Sequence, residues 1–120
     1  MSKFFTGVDI VDVDRIKSSS DKYRNRFLDK VFSKYEQSYC NSKYNSHVHY
    51  AGKFAAKEAV MKSLYSSGEK KNISFISVSI INDENGIPEV FINGLIKKNI
   101  KISISHTNHQ AIAFAILNNE

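Results

Sequence analysis

The chain has 120 residues, 42% of them apolar and 24% charged, the make-up of one ordinary globular domain that builds its core without disulfides or structural metal. Its 17 lysines and arginines outnumber 12 aspartates and glutamates, a net charge of +5 that suits an acidic partner but is small for a nucleic-acid binder. The single cysteine, Cys40, excludes an intrachain disulfide framework and a cysteine-based zinc site, and fits a reducing, cytoplasmic setting.

In chain order, Phe4–Val13 is expected as a strand, with Val8, Ile10 and Val11 placing apolar groups on both faces. Such a strand needs cover on two sides, from helices or from a neighbouring subunit. Gly7 inside it marks a bulge or a close approach of backbone. The brief apolar start at Phe5, Gly7 and Val8 is too short for a signal-peptide core. From about Asp14 the pattern turns helical, and Phe27, Leu28, Val31 and Phe32 form an apolar stripe. Ser33 followed three residues later by Glu36 is a capping-box signature and opens a second, short helix. Tyr50 to about Ser66 is the third and longest helix, rich in alanines that permit close packing (Ala51, Ala55, Ala56, Ala59), with Gly68 just past its end.

The second half changes to a period of two. Ile76, Val78 and Ile80 alternate with serines, Asn85-Gly86 makes a turn, and Pro88–Ile92 follows as the partner strand. Ile100, Ile102 and Ile104 alternate with polar residues, and Ile112, Phe114 and Ile116 alternate with alanines. Residues 102–119 lack Lys, Arg, Asp and Glu, yet Ser103, Ser105, His106, Asn108 and Gln110 make them too polar for a membrane helix. One strand, three helices and then mainly antiparallel strands define an α+β fold, with residues 1–120 as one domain.

Three residues are chemically out of place. Asp9 puts a carboxylate in the middle of an apolar strand, where burial is costly unless it is paired or holds a cation. It is either a salt-bridged strand-end residue or a ligand for a hard cation. Glu58 and Lys62 lie one turn apart in the order that favours a surface ion pair. Beside a wall of alanines they equally suit a metal–phosphate site, with the carboxylate on the metal and the ammonium on phosphate oxygens. His106 ends an alternating strand in a polar cluster, where ligand contacts and backbone-capping turns are both common. His47 and His49 read as a helix entry, His109 as a loop residue, Cys40 as an apolar filler, and Asp12 and Asp14 as the strand-to-helix junction. No P-loop, dinucleotide, serine-hydrolase or zincin signature is present.

Four blocks in register carry a resemblance. They are Gly7-Val8-Asp9-Ile10-Val11 with Arg15-Ile16, Lys53-Phe54-Ala55-Ala56-Lys57-Glu58-Ala59 with Lys62, Asn85-Gly86-Ile87-Pro88, and Ser103-Ile104-Ser105-His106-Thr107 with Ala111 and Ala113. From Gly7 to about Leu117 the chain resembles the holo-[acyl-carrier-protein] synthases, the short class of 4′-phosphopantetheinyl transferases. The resemblance implies that family's fold, and transfer of phosphopantetheine from coenzyme A to a serine of apo acyl carrier protein, releasing adenosine 3′,5′-bisphosphate. By similarity, Asp9 and Glu58 hold Mg²⁺, and Glu58 takes the serine proton, directly or through a metal-bound water. Lys62 offsets charge as the bisphosphate leaves. Lys53, Lys62, Pro88, His106 and Thr107 contact coenzyme A, and Arg15 and Arg26 meet the carrier protein. The resemblance also implies a cytoplasmic homotrimer with sites between subunits, serving fatty acid biosynthesis, without nucleic-acid or membrane partners.

The chain departs from the family pattern where Tyr65-Ser66-Ser67-Gly68 replaces a Gly-Thr-Gly-like turn, Lys53 an arginine, and Gln110 a tyrosine. The rival readings are a basic module that binds nucleic acid, or a non-catalytic binder of carrier protein.

Overall fold

The computed structural model describes residues 3–119. Strand β1 (Phe4–Asp12) leads into helices α1 (Val13–Tyr23), α2 (Asn25–Val31), α3 (Lys34–Asn41) and α4 (Ser46–Ser66). A 3₁₀ turn (Phe75–Ser77) then introduces β2 (Val78–Asn82), β3 (Pro88–Ile92), β4 (Leu95–Ile96), β5 (Ile100–His106) and β6 (Gln110–Asn118). Two antiparallel sheets result, in the orders β1-β6-β5 and β2-β3-β4. The α+β architecture is the expected one: an N-terminal strand, helices, then antiparallel strands.

The first helical stretch is two helices rather than one. Arg24 sits between them at φ +50°, and this left-handed residue breaks the hydrogen-bond ladder. The capping box forms as expected: Ser33 accepts from the Glu36 amide, and Glu36 accepts from the Ser33 amide at 2.8 Å. Helix α4 starts at Ser46, four residues before the expected Tyr50, because Val48 is buried and continues the inward stripe of Ala51, Ala55 and Ala59. Strand β2 starts two residues late, since a 3₁₀ turn takes up Phe75–Ser77. The turn before β3 forms on Asp83, whose carboxylate accepts from the Asn85 and Ile87 amides, with Gly86 at φ +81°.

Helix α4 lies across all three strands of the β1-β6-β5 sheet. The alanine face of β6 (Ala111, Ala113, Ala115) meets α4, and these three alanines and the four of α4 are all essentially solvent-free. Small residues on both sides let the elements approach closely. Gly7 is the limit of this approach, because a Cβ there would come within 2.0 Å of the Ala59 carbonyl oxygen. The larger residues therefore face outward. Phe4, Val8 and Ile10 of β1 and Ile112 and Phe114 of β6 leave one side of the sheet apolar and exposed.

A buried ion pair ties the helices to the second sheet. Lys57 Nζ lies 2.6 Å from Glu36 Oε1, and both side chains are fully buried. The ammonium also donates to the Val31 carbonyl at 2.5 Å and the Phe75 carbonyl at 2.9 Å, while Glu36 Oε2 accepts from the Ile80 amide at 2.7 Å. Burial lowers the Lys57 pKa and Glu36 opposes that shift. The cluster joins α3, α4, the 3₁₀ turn and β2, and no hydrogen-bonding atom in it lacks a partner.

Candidate active site

Close contact between β1 and α4 at Gly7 brings Asp9 of the strand up to Glu58 and Lys62 of the helix. Asp9 shares the inward face of β1 with Gly7 and Val11, opposite Ala113 in register, so its carboxylate points toward α4. Glu58, half-buried on α4, faces it. Lys62, one turn further on, donates to the Val8 carbonyl at 2.9 Å and to Asp9 Oδ1 at 3.2 Å. Lys62 thus forms its ion pair with the strand rather than with Glu58, its helical neighbour.

The two carboxylates are incompletely balanced. Asp9 Oδ2 is buried and has no hydrogen-bond partner, the one such side-chain atom among the described residues. Burial raises the Glu58 pKa, and the facing Asp9 raises it further, by bonding to the protonated form and by repelling the charged one. Lys62 and Arg15 pull it back down. Two carboxylates in this state share either a proton or a cation. Asp9 Oδ2 and Glu58 therefore fit a hard divalent cation. Among the described residues no three His, Cys, Asp or Glu side chains gather as an all-protein metal cage. A two-carboxylate half-shell is what Mg²⁺ uses when waters and substrate phosphates complete its coordination.

Three of the other expected site residues border a separate cavity of about 420 Å³, Lys53, Pro88 and His106, together with His49, Tyr39 and Asn82. It lies between α3, α4, β5 and the β2–β3 turn. Lys53 is almost wholly buried, donates to the Ile80 carbonyl at 2.9 Å and to Asn82 Oδ1, and rests 4.4 Å from the Tyr39 ring centre. Burial pulls its pKa down to about 8. Its ammonium thus anchors α4 to β2 as well as edging the cavity. Thr107 is not a cavity wall. Its hydroxyl accepts from the His109 and Gln110 amides at 3.1 Å each, the capping turn that the sequence offered as one reading of this cluster.

The carboxylate pair and the cavity are on opposite flanks of α4. Nine positions separate His49 from Glu58, which at 3.6 residues per turn is about 180° around the helix. Asp9 and Ile104 pair with the same residue, Ala113, from opposite sides, so they are roughly 10 Å apart across the sheet. The chain brings Asp9, Glu58 and Lys62 together; it does not join them to His106 or Pro88.

Arg15 stands exposed at the start of α1, near enough for its charge to act on Glu58, and Arg26 is exposed on α2. Gln110, where the family pattern has tyrosine, donates to Asp12 at 3.0 Å and ties the β5–β6 turn to the end of β1. Cys40 is fully buried with its thiol pushed up to about 12 by burial, an inert filler as expected. His49 and Asn82 also line the cavity, a placement that the sequence reading did not assign to them. The signal for His49 was its one-turn spacing from Lys53, visible only once α4 is extended back to Ser46.

The fold and site define a class: an α+β protein in which a helix and the N-terminal strand bring two carboxylates and a lysine together. Residues 6–115 match the 4′-phosphopantetheinyl transferase superfamily, and the chain belongs to it. A holo-[acyl-carrier-protein] synthase of Protochlamydia amoebophila is 45% identical over 115 residues, covering 92% of this chain and 93% of the relative. A holo-(acyl-carrier-protein) synthase of Bacillus anthracis, crystallised in complex with CoA (3′,5′-ADP), superimposes with a TM-score of 0.78 at 28% identity, covering 97% of this chain and 96% of that one. The Helicobacter pylori holo-[acyl-carrier-protein] synthase in complex with coenzyme A gives 0.77 at 29% identity, over 93% and 98% of the two chains.

Proposed function

We propose that the chain is a cytoplasmic holo-[acyl-carrier-protein] synthase of fatty acid biosynthesis, working as one domain over residues 1–120. It transfers phosphopantetheine from coenzyme A to a serine hydroxyl of apo acyl carrier protein and releases adenosine 3′,5′-bisphosphate. The observation that carries this is the buried, unpartnered Asp9 Oδ2 facing Glu58, with Lys62 beside it. Phosphoryl transfer needs positive charge around the phosphorus more than it needs a protein nucleophile. Mg²⁺, held by Asp9 and Glu58 when bound, supplies Lewis acidity to the pyrophosphate oxygens. Lys62, half exposed at the rim, offsets the charge that grows on the leaving phosphate. Glu58 would take the serine proton, directly or through a metal-bound water. Arg15, whose charge acts on Glu58, brings an acidic carrier protein to the same flank.

The working unit is a homotrimer. Two observations support this: the exposed apolar face of Phe4, Val8, Ile10, Ile112 and Phe114, and the separation of the metal pair from the cavity holding His106 and Pro88. A second copy would cover the first and bring its cavity to the metal pair of its neighbour. Among the described residues no helix is long and apolar enough to cross a membrane.

The test is to incubate the protein with coenzyme A, Mg²⁺ and apo acyl carrier protein and record intact carrier-protein mass. The expected result is the mass gain of one phosphopantetheine, abolished by chelation of the metal. No gain with any carrier protein, alongside tight binding of RNA without Mg²⁺, would replace the enzyme with a basic binding module.

A further inference from the structure

Helix α1 begins at a residue suited to cap it that does not do so. Asp12 is the N-cap, in the extended backbone that a capping residue adopts (φ −75°, ψ 127°), yet its side chain makes no cap hydrogen bond. Asp12 Oδ1 accepts instead from Gln110 Nε2 at 3.0 Å, across the β1–β6 pairing in which the two residues stand opposite each other. Gln110 is itself held in place. Its amide donates to the Thr107 hydroxyl at 3.1 Å, and its carbonyl accepts from the Thr107 amide at 2.8 Å. The neighbouring His109 carbonyl accepts from the Val13 amide, also at 2.8 Å. The β5–β6 turn and the start of α1 therefore form one hydrogen-bonded unit, which the buried Val13 and Ile16 fix to the core.

We propose that Gln110 is a positioning residue for carrier-protein docking: it holds the Asp12 carboxylate off the first turn of α1 and so leaves the Arg15 charge free for an acidic partner. The proposal rests on the transferase reading for the identity of that partner. An N-cap carboxylate accepts from the second or third amide of its helix, here those of Asp14 and Arg15. In that place the Asp12 charge would lie beside Arg15, three positions along, and would offset its guanidinium. The two uses of the carboxylate exclude each other, and the side-chain amide of Gln110 decides between them. Among the described residues Arg15 takes part in no salt bridge, although Asp12 and Asp14 both precede it within three positions. Its charge reaches Glu58 instead, on the flank where the carrier protein would arrive. Gln110 touches neither substrate in this reading; it acts through Asp12 on Arg15.

The test compares Gln110→Ala with the wild type by amide hydrogen exchange, thermal melting and surface plasmon resonance. Exchange should show new protection at the Asp14 or Arg15 amide as the released carboxylate caps the helix, with a melting midpoint no lower than that of the wild type. At low ionic strength apo acyl carrier protein should bind about threefold more weakly, with coenzyme A affinity unchanged, and the gap should close as salt is raised. Asp12→Asn should restore carrier-protein affinity in the Gln110→Ala background and change it far less in the wild type. Where Arg15→Ala is already present, Gln110→Ala should have no further effect. A tie that is only structural would lose affinity at every ionic strength and would not be restored by removing the Asp12 charge. That result overturns the proposal and leaves the transferase standing, as does a Gln110→Ala variant with unchanged exchange and wild-type affinity. Failure of the wild type to bind any apo carrier protein overturns both.

Discussion

Lys57 and Glu58 are neighbours on α4, yet they belong to two opposite kinds of charged cluster. Lys57 pairs with Glu36 in full burial, and carbonyls and amides satisfy every remaining hydrogen-bonding atom. Glu58 faces a second carboxylate, with an oxygen of Asp9 buried and unpartnered and its own proton affinity raised. The first arrangement is complete and does structural work. The second is incomplete in the way a cation and a phosphate would complete it. Burial alone does not distinguish a functional charge from a structural one; what distinguishes them is whether the folded chain already supplies all the partners.

Breaking the complete cluster should have the largest effect, and on stability alone. Lys57→Ala strands the Glu36 carboxylate in the core and should cost about 3–5 kcal/mol in urea unfolding. Turnover per folded molecule should stay near normal, and the Glu36→Leu/Lys57→Met double variant should recover most of the loss. Breaking the incomplete cluster should do the reverse. Asp9→Asn should lower transfer roughly 10²-fold in steady-state assays while the unfolding midpoint moves little. Smaller again is the effect of disturbing the approach that builds the site. Gly7→Ala forces β1 away from Ala59 and should cost about 1–3 kcal/mol with a parallel loss of activity, read by thermal melting and assay together.

The pH dependence sharpens the contrast further. The Glu58 pKa is raised in the folded protein, so its protonated form is favoured there. Its contribution to stability without metal is then fully present below the ordinary carboxylate range and is lost as pH rises through the raised value. Glu58→Gln should make the metal-free protein slightly more stable at pH 7 and remove that part of the pH profile. Mg²⁺ competes with the same proton, so its apparent affinity in the wild type should fall as pH falls through this window. The smallest expected effect is at the rim. Arg15→Glu should weaken carrier-protein binding by about tenfold, as the charge at one exposed site changes by two units, with coenzyme A affinity unchanged. Surface plasmon resonance with both ligands reads the difference, and equal loss of both would contradict the assignment.

Much of this was legible in the sequence because it depends on local pattern. The capping box at Ser33, the strand around Asp9, the Asn85-Gly86 turn and the alternation of β5 and β6 all follow from spacing. Gly7 as a close approach was one of two readings, and only the position of Ala59 selects between them. What the sequence could not give depends on pairing at a distance. Lys57 looks like any helical lysine until α3 brings Glu36 to it. Glu58 and Lys62 look like an ion pair until β1 offers Lys62 a different carboxylate. On β6 the large residues Ile112 and Phe114 would be expected in the core, but the alanines are there, because α4 comes too close for anything larger.

The most direct measurement is the Mg²⁺ dependence of carrier-protein modification by wild type and Glu58→Gln at equal concentrations of folded protein. The account predicts a saturable rise with Mg²⁺ for the wild type, and a rate for the variant roughly 10² lower at every Mg²⁺ concentration, with folding intact. A variant that matches the wild-type rate across the titration would contradict it, and would remove the Asp9–Glu58 pair from the chemistry.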